Sequence, residues 1–177
     1  VMTRSDRAKD TKNTPIYLLG AAMEHHHRMI SEMPDLVRTS AIESGKRAFS
    51  MSGYKPNDIS TIQLYDAFTI NTLLFLEDLG FCKKGEAKEL VKNNNIGPVG
   101  NLKVNTNGGG LSCVHPGMYG LFVTLEALRQ LRNASGDDVG KRLDGGWIDN
   151  AKLSVAHGNG GVLSSQVTNI WGVSDTL

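Results

Sequence analysis

The stretch LYDAFTINTLLFLEDLG, residues 64–80, limits the fold more than any other part of this chain. At 3.6 residues per turn, Phe68, Leu73, Leu74, Phe75, Leu76 and Leu79 cover too many sides of a helix for it to lie on a surface with one face in water. Such a helix has to be buried between layers. Just ahead of it, ISTIQLY (59–65) has the β-branched and aromatic content of a strand, entered from the turn Lys55-Pro56-Asn57-Asp58. Asp66 sits at the junction, where a carboxylate caps the N–H groups of a following helix. A strand that feeds a buried helix is the local unit of a layered α/β fold.

The remaining segments extend this pattern. Pro15 opens IYLLGAA, an apolar run with strand character that ends at Gly20. Ser40 and Glu43 read as a capping box for a helix through about Ser52, which Gly53 closes. A short polar helix, Glu86 to Lys92, leads through an Asn-, Gly- and Pro-rich loop to Gly108, Gly109 and Gly110. A long helix is then expected from His115 or Pro116 to Arg132, with Leu121, Leu125, Leu128 and Leu131 on one side. After a polar connection over 134–150, AKLSVAH and VLSSQVTNIWG read as a β-hairpin joined at 158–161. The expected class is therefore α/β, a mixed β-sheet with helices on both faces.

Composition excludes several functions. The formal charge of +1 provides no basic footprint for nucleic acid or anionic lipid, and no apolar run approaches the ~18 residues of a membrane span. Two cysteines, Cys82 and Cys113, cannot form a disulfide framework; with no signal peptide visible, the expected compartment is the cytoplasm. Cys113 reads as a small buried thiol, and His25-His26-His27 as an exposed loop, since a local triplet lacks the distributed ligands of a metal site. The 20 glycines cluster at 108–110, 145–146 and 158–161, as expected for loops around a site.

Three segments carry chemistry: Tyr65-Asp66-Ala67-Phe68, the glycine run leading to His115 and Tyr119, and His157-Gly158-Asn159-Gly160-Gly161. Each falls where one element meets the next, and in open α/β folds ligands collect at such edges. The residues leave each role open. His157 is either a proton donor or a polar residue bonded to its own glycine loop. Tyr65 is either an acid/base group or a half-buried strand aromatic, and Tyr119 either a site residue or packing.

GGGLSCVHPGMYG resembles the Gly-Gly…Gly-His-Pro motif of the thiolase superfamily. YDAF resembles its Asn-Glu-Ala-Phe motif, and AHGNGG lies where thiolases have a Cys-x-Gly-Gly-Gly loop. LEDLGFCKKGEA and HGNGGVLSSQ are most similar to the sterol-carrier-protein-type and lipid-transfer branch, over residues 15 to 177. The resemblance implies a thiolase-like layered fold, with residues 1–33 as the tail of an N-terminal half and 34–177 as the C-terminal domain. A chain that opens on Val1 would then be part of a longer protein. The nucleophilic cysteine of the family lies in the half not represented here.

The resemblance further implies an acyltransferase that makes or breaks the carbon–carbon bond beta to an acyl-CoA thioester. Coenzyme A thioester would be the substrate, with no bound cofactor and no metal. His115 would activate the nucleophile and hold the thioester oxygen, Gly108, Gly109 and Gly110 would let backbone approach the acyl-CoA, and Gly158, Asn159 and Gly160 would offer N–H groups to a second oxyanion. Two departures point to alternatives. Ala156 and His157 stand where the second catalytic cysteine would fall, and Tyr65 replaces the motif asparagine. One branch of the family cleaves β-hydroxyacyl-CoA steroid side chains with tyrosines as acid/base groups, matched here by Tyr65 and Tyr119; a non-catalytic lipid or acyl-CoA binding module is the other alternative. Expected partners are the missing N-terminal half, further copies of the chain as a homo-oligomer, and a small OB-fold acyl-CoA-binding protein.

Overall fold

The computed structural model describes residues 1–97, 99–113, 117–142 and 146–177. In chain order its elements are β1 (Tyr17–His25), α1 (Ala41–Ser52), β2 (Thr61–Leu64), α2 (Thr69–Asp78), α3 (Ala87–Val91), the single turn α4 (Gly109–Ser112), α5 (Tyr119–Ala134), β3 (Leu153–Gly160) and β4 (Ser165–Gly172). The strands form one sheet in the order β1-β4-β3-β2. β4 runs antiparallel to both neighbours, and β2 runs parallel to β3. No helix among the described residues is long and apolar enough to cross a membrane.

Successive strand residues point to opposite faces, so each strand serves two layers. Ile62, Leu64, Val155 and Ile170 pack on one side with Ala48, Phe49, Leu74 and Phe75 of α1 and α2. Tyr65, Ala156 and Trp171 pack on the other with Tyr119, Val123, Ala127 and Leu131 of α5. The expected mixed sheet with helices on both faces is present. Phe75 is fully buried between α1 and the sheet, so Phe75→Ala removes about 3–5 kcal/mol by transfer loss plus cavity.

Several local expectations need correction. β1 does not end at Gly20 but runs to His25, because an edge strand tolerates Glu24 and His25 in water. The Ser40–Glu43 capping box does not form: the Thr39 hydroxyl accepts the Ala41 N–H at 3.1 Å, leaving the buried Ser40 hydroxyl without a partner. The long helix begins at Tyr119, since Met118 takes a left-handed conformation (φ 63°) that interrupts any continuous helix from 115 or 116. Its buried face is Tyr119, Val123, Glu126, Ala127, Gln130 and Leu131, while Leu121 and Leu125 are exposed. A count of leucines cannot show that Glu126 and Gln130 are drawn inward by polar partners. Cys113 is exposed rather than buried.

On the α1/α2 face, β3 and β4 enclose a polar cluster. The His157 ring is 0% exposed and lies 4.5 Å from the Phe75 ring, centroid to centroid. Its Nε2 lies 2.8 Å from Gln166 Oε1, and its Nδ1 2.9 Å from the Thr168 hydroxyl. Gln166 directs its own amide N–H groups at Asn159 and Leu163, so its oxygen faces the ring and the proton sits on Nε2. Thr168 then donates to Nδ1, and its oxygen lies 2.9 Å from the Ser44 hydroxyl on α1.

Burial lowers the His157 pKa to about 4, against the opposing pull of the Gln166 bond. An unfolded histidine protonates near pH 6.5, so between these values the unfolded chain binds the extra proton. The stabilisation is complete above about pH 6.5 and is lost as pH falls toward 4. Urea unfolding at pH 7.5 and 4.5 should show a drop of roughly 2–3 kcal/mol from this group, absent in His157→Gln, which cannot titrate. An equal drop in both proteins would assign the acid sensitivity elsewhere.

Candidate active site

On the opposite face a cleft of about 910 Å³ opens at the C-terminal ends of β2 and β3. Its floor is the sheet itself: Ala156 and Gly158 from β3, Val167 and Asn169 from β4. Phe68, from the β2–α2 junction, and Met118 and Leu121, at the start of α5, form apolar walls. Asn159 through Val162 make the rim where the hairpin turns.

The three expected segments meet here. Tyr65 lines the cleft beside Gly120 and Gly158, which lie so close that a β-carbon on Gly120 would stand 3.8 Å from the Gly158 α-carbon and 4.0 Å from the Tyr65 ring. Tyr65 continues β2, its N–H donating to the His157 carbonyl at 3.0 Å, and its ring meets Tyr119 edge-to-face at 5.3 Å. Gly158, Asn159 and Gly160 reach the cleft as the last residues of β3, paired with 165–167, and not as an open loop. His115 and Pro116 lie outside the described residues.

Other expected site residues lie away from the cleft. His157 faces α1 and α2, because strand alternation sends it to the side opposite Ala156; with both nitrogens engaged it is placed as a core residue and not as a proton donor. Tyr119 is 1% exposed, wedged between Tyr65, Phe122 and Gly110. Burial pushes its phenol up to about 12, opposed by a hydrogen bond with Asn107 and reinforced by the nearby Asp66 charge. It stays protonated and supports Tyr65 from behind. Gly108, Gly109 and Gly110 do not line the cleft either. The histidine triplet splits, with His25 within β1 and His27 half-buried, its Nε2 3.2 Å from the Val162 carbonyl. Among the described residues no group of side chains has the arrangement of a metal site.

The glycine run is held by Asp66. This carboxylate, 4% exposed, does not cap its own helix, whose N-cap is Phe68. It accepts the Gly110 N–H at 2.6 Å and the Leu111 N–H at 3.4 Å, tying the glycine turn to the end of β2. Only glycine fits there: residue 109 has φ +72°, and a β-carbon on it would lie 2.0 Å from Asp66 Oδ2.

Sequence reasoning missed a second tie. The buried Glu126 carboxylate on α5 takes both guanidinium nitrogens of Arg142 at 2.5 Å, the Gln130 amide at 3.0 Å and the Thr106 hydroxyl. Arg142 stacks over Trp147 at 3.9 Å, and Gln130 binds the Gly146 carbonyl and the Ile148 N–H. The bidentate pair clamps the 134–150 connection to α5, and through Thr106 the clamp reaches the segment that enters the glycine turn. No local motif announces it, since Thr106 lies 20 residues before Glu126 and Arg142 lies 16 after it.

A model of the thiolase C-terminal domain-like family matches residues 22–173. The 17-hydroxy-3-oxo-4-pregnene-20-carboxyl-CoA lyase of Mycobacterium tuberculosis is 38% identical over 146 residues, 78% of this chain and 37% of that protein. The acetyl-CoA acetyltransferase of Methanothermobacter thermautotrophicus is 28% identical over 173 residues, 97% of this chain and 43% of that one. Among solved structures, an Ltp2-ChsH2(DUF35) aldolase superposes with a TM-score of 0.78 at 26% identity, covering 98% of this chain and 43% of that chain. The chain thus spans about two fifths of the length of these three proteins.

Gly109→Ala combines an unfavourable left-handed alanine with a collision against Asp66. Chemical denaturation should show a loss of roughly 2–4 kcal/mol, because the Asp66–Gly110 bond must break to admit the methyl. A loss below about 1 kcal/mol would mean that this bond does not hold the turn.

Proposed function

The chain belongs to the thiolase C-terminal domain-like family, and on that footing we propose that it forms the C-terminal half of an enzyme that cleaves the carbon–carbon bond beside an acyl-CoA thioester by an aldol route. One observation carries this reading. Of the two β3 residues that stand where a second catalytic cysteine would fall, Ala156 faces the cleft and His157 does not; neither Cys82 nor Cys113 lines the cleft, whereas Tyr65 does. Thiol-based protonation therefore has no donor among the described cleft residues, and a phenol stands beside the vacant position. Similarity to the Mycobacterium tuberculosis lyase and to the solved aldolase supports the same route.

The substrate is a β-hydroxyacyl-CoA. Its β-hydroxyl gives a proton to a base, the C–O bond becomes a carbonyl, and the electron pair of the Cα–Cβ bond moves to Cα as an enolate shared with the thioester oxygen. Cα then takes a proton, releasing a ketone or aldehyde and a shortened acyl-CoA. The thioester is its own electron sink, so no resident cofactor is required. Tyr65 is the acid/base group at the reacting carbon. Tyr119, fixed as a neutral phenol, holds the Tyr65 ring edge-on. His115, assigned from its motif alone, serves the thioester oxygen, and backbone at Gly158, Asn159 and Gly160 lets the ligand lie flat on the floor.

Acyl transfer is the second reading, favoured by the likeness to the Methanothermobacter acetyltransferase. It needs a nucleophilic cysteine from outside these residues. On either route the exposed stripe of Met118, Leu121, Phe122 and Leu125, continuous with Phe68 across the cleft, is covered by the remainder of the protein or by another chain. A homo-oligomer and a small acyl-CoA-binding partner protein both fit that surface.

Tyr65→Phe keeps the ring and removes the hydroxyl. In the protein as its gene encodes it, turnover of a β-hydroxyacyl-CoA should fall by about 10² to 10⁴ with the melting temperature little changed. Unchanged turnover of that substrate would remove Tyr65 from the reaction, and turnover of a β-ketoacyl-CoA with free CoA alone would favour acyl transfer. Residues 1–177 expressed by themselves should self-associate in light scattering; a monodisperse monomer would show that the apolar stripe needs no cover.

A further inference from the structure

The rim of the cleft, where β3 turns into β4, is formed by Asn159, Gly160, Gly161 and Val162, and the two glycines give this run little stiffness of its own. The turn nevertheless takes a strained shape. Leu163 adopts a left-handed conformation (φ 59°), unfavourable for a residue with a β-carbon, and its side chain is buried in the core on the α1/α2 side. Strain of this kind persists only where the surrounding bonds over-determine the backbone.

Three side chains supply such bonds. The Ser164 hydroxyl donates to the Gly160 carbonyl at 3.1 Å, a bond within the turn, and His27 Nε2 lies 3.2 Å from the Val162 carbonyl. Gln166 is the third, and it grips the turn at both ends. Its amide nitrogen donates to the Leu163 carbonyl at 3.1 Å and to the Asn159 side-chain oxygen at 3.3 Å. Gln166 is 0% exposed and lies on the side of the sheet away from the cleft, the side to which the Asn159 side chain also turns as its partner in the ladder. The orientation of the amide is settled from its other end, where Oε1 accepts from His157 Nε2 at 2.8 Å. Turned over, the amide would set its N–H groups against the His157 N–H and its oxygen against the Leu163 carbonyl. Ring, amide and turn thus form one chain of bonds that begins on the closed face and ends at the rim.

We propose that Gln166 is a positioning residue for the cleft: from the closed side of the sheet it holds the glycine-rich turn in the shape that presents residues 159–162 to the ligand, without touching the ligand itself. The inference rests on the proposed acyl-CoA site being this cleft, and not on whether the reaction there is aldol cleavage or acyl transfer. Without the amide, Leu163 is free to relax to an ordinary conformation, and the turn moves with it. The apolar walls at Phe68, Met118 and Leu121 stay in place. Ground-state binding is therefore kept while the reacting group is held less well, so kcat falls and KM changes little.

The test pairs Gln166→Leu, which removes both grips, with Thr168→Val as its control. Thr168 belongs to the same buried cluster, but its hydroxyl bonds to His157 and to Ser44 on α1 rather than to the turn. Both substitutions should lower the melting temperature. In the protein as its gene encodes it, backbone hydrogen exchange over 160–165 should quicken by about tenfold or more in Gln166→Leu and stay as in wild type in Thr168→Val. With a β-hydroxyacyl-CoA, kcat should fall about ten- to hundredfold in Gln166→Leu with KM within about threefold, and hold in Thr168→Val. Unchanged exchange in the turn, a quickened turn with wild-type kcat, or matching kcat losses in the two variants would each overturn the assignment. Should Gln166→Leu fold poorly by circular dichroism, Gln166→Glu keeps an oxygen for His157, removes both N–H donors and gives the same comparison. If wild type turns over neither a β-hydroxyacyl-CoA nor a β-ketoacyl-CoA, the proposed reaction falls, while the exchange comparison still decides whether Gln166 holds the turn.

Discussion

The molecule depends on the two-residue alternation along the β3–β4 ladder. Because β3 and β4 lie inside the sheet, each of their faces must satisfy a different layer. His157, Thr168 and Gln166 go to the side of α1 and α2, where they bond to one another and to Ser44. Ala156, Gly158, Val167 and Asn169 go to the side of α5, where they form a floor with little bulk. A shift of one residue in register would exchange these sets, putting a neutral histidine into the cleft and a small apolar floor into the core. The polar cluster therefore specifies the register that creates the cleft, although none of its members touches the cleft's contents.

The roof of the cleft is tied down by charge in addition to the apolar packing of α5 on the sheet. Asp66 takes backbone N–H groups of the glycine turn, and Glu126 takes Arg142, Thr106 and Gln130, so Thr106 and Gly110 both lead to buried carboxylates. Each carboxylate is shielded from water and well supplied with donors, the condition under which buried charge fixes geometry. The apolar side chains at the start of α5 are thereby left facing outward over the cleft, where an uncommitted surface can receive another chain.

The layered class was readable because it rests on periodicities. The hairpin at the C-terminus announces its pairing within ten or so residues, whereas the apolar helix at 69–78 packs on one face of the sheet with Phe68 and Ile70 exposed instead of lying buried between layers. That segments 65–68, 115–119 and 157–161 share a site was an inference from their motifs; Tyr65, Phe68, Met118 and Gly158 do line one cleft, while His115 lies outside the described residues. What could not be read was the side of a strand. AHG has the same letters whether histidine or alanine faces the ligand, and only pairing with Thr168 and Asn169 decides it. Long-range polar ties were hidden for a similar reason. Asp66 has the look of a helix cap in its own neighbourhood, and its true acceptor role depends on Gly110, 44 residues away.

The contact between Gly120 and Gly158 acts as a spacer gauge. A β-carbon added to either one would come to rest 3.7–3.8 Å from the α-carbon of the other, which is ordinary contact. One methyl fits, and anything larger would have to lift the first turn of α5 away from β3. The separation of roof and floor is therefore set by backbone alone at these two positions, and at Gly120 the same added carbon would also reach the Tyr65 ring.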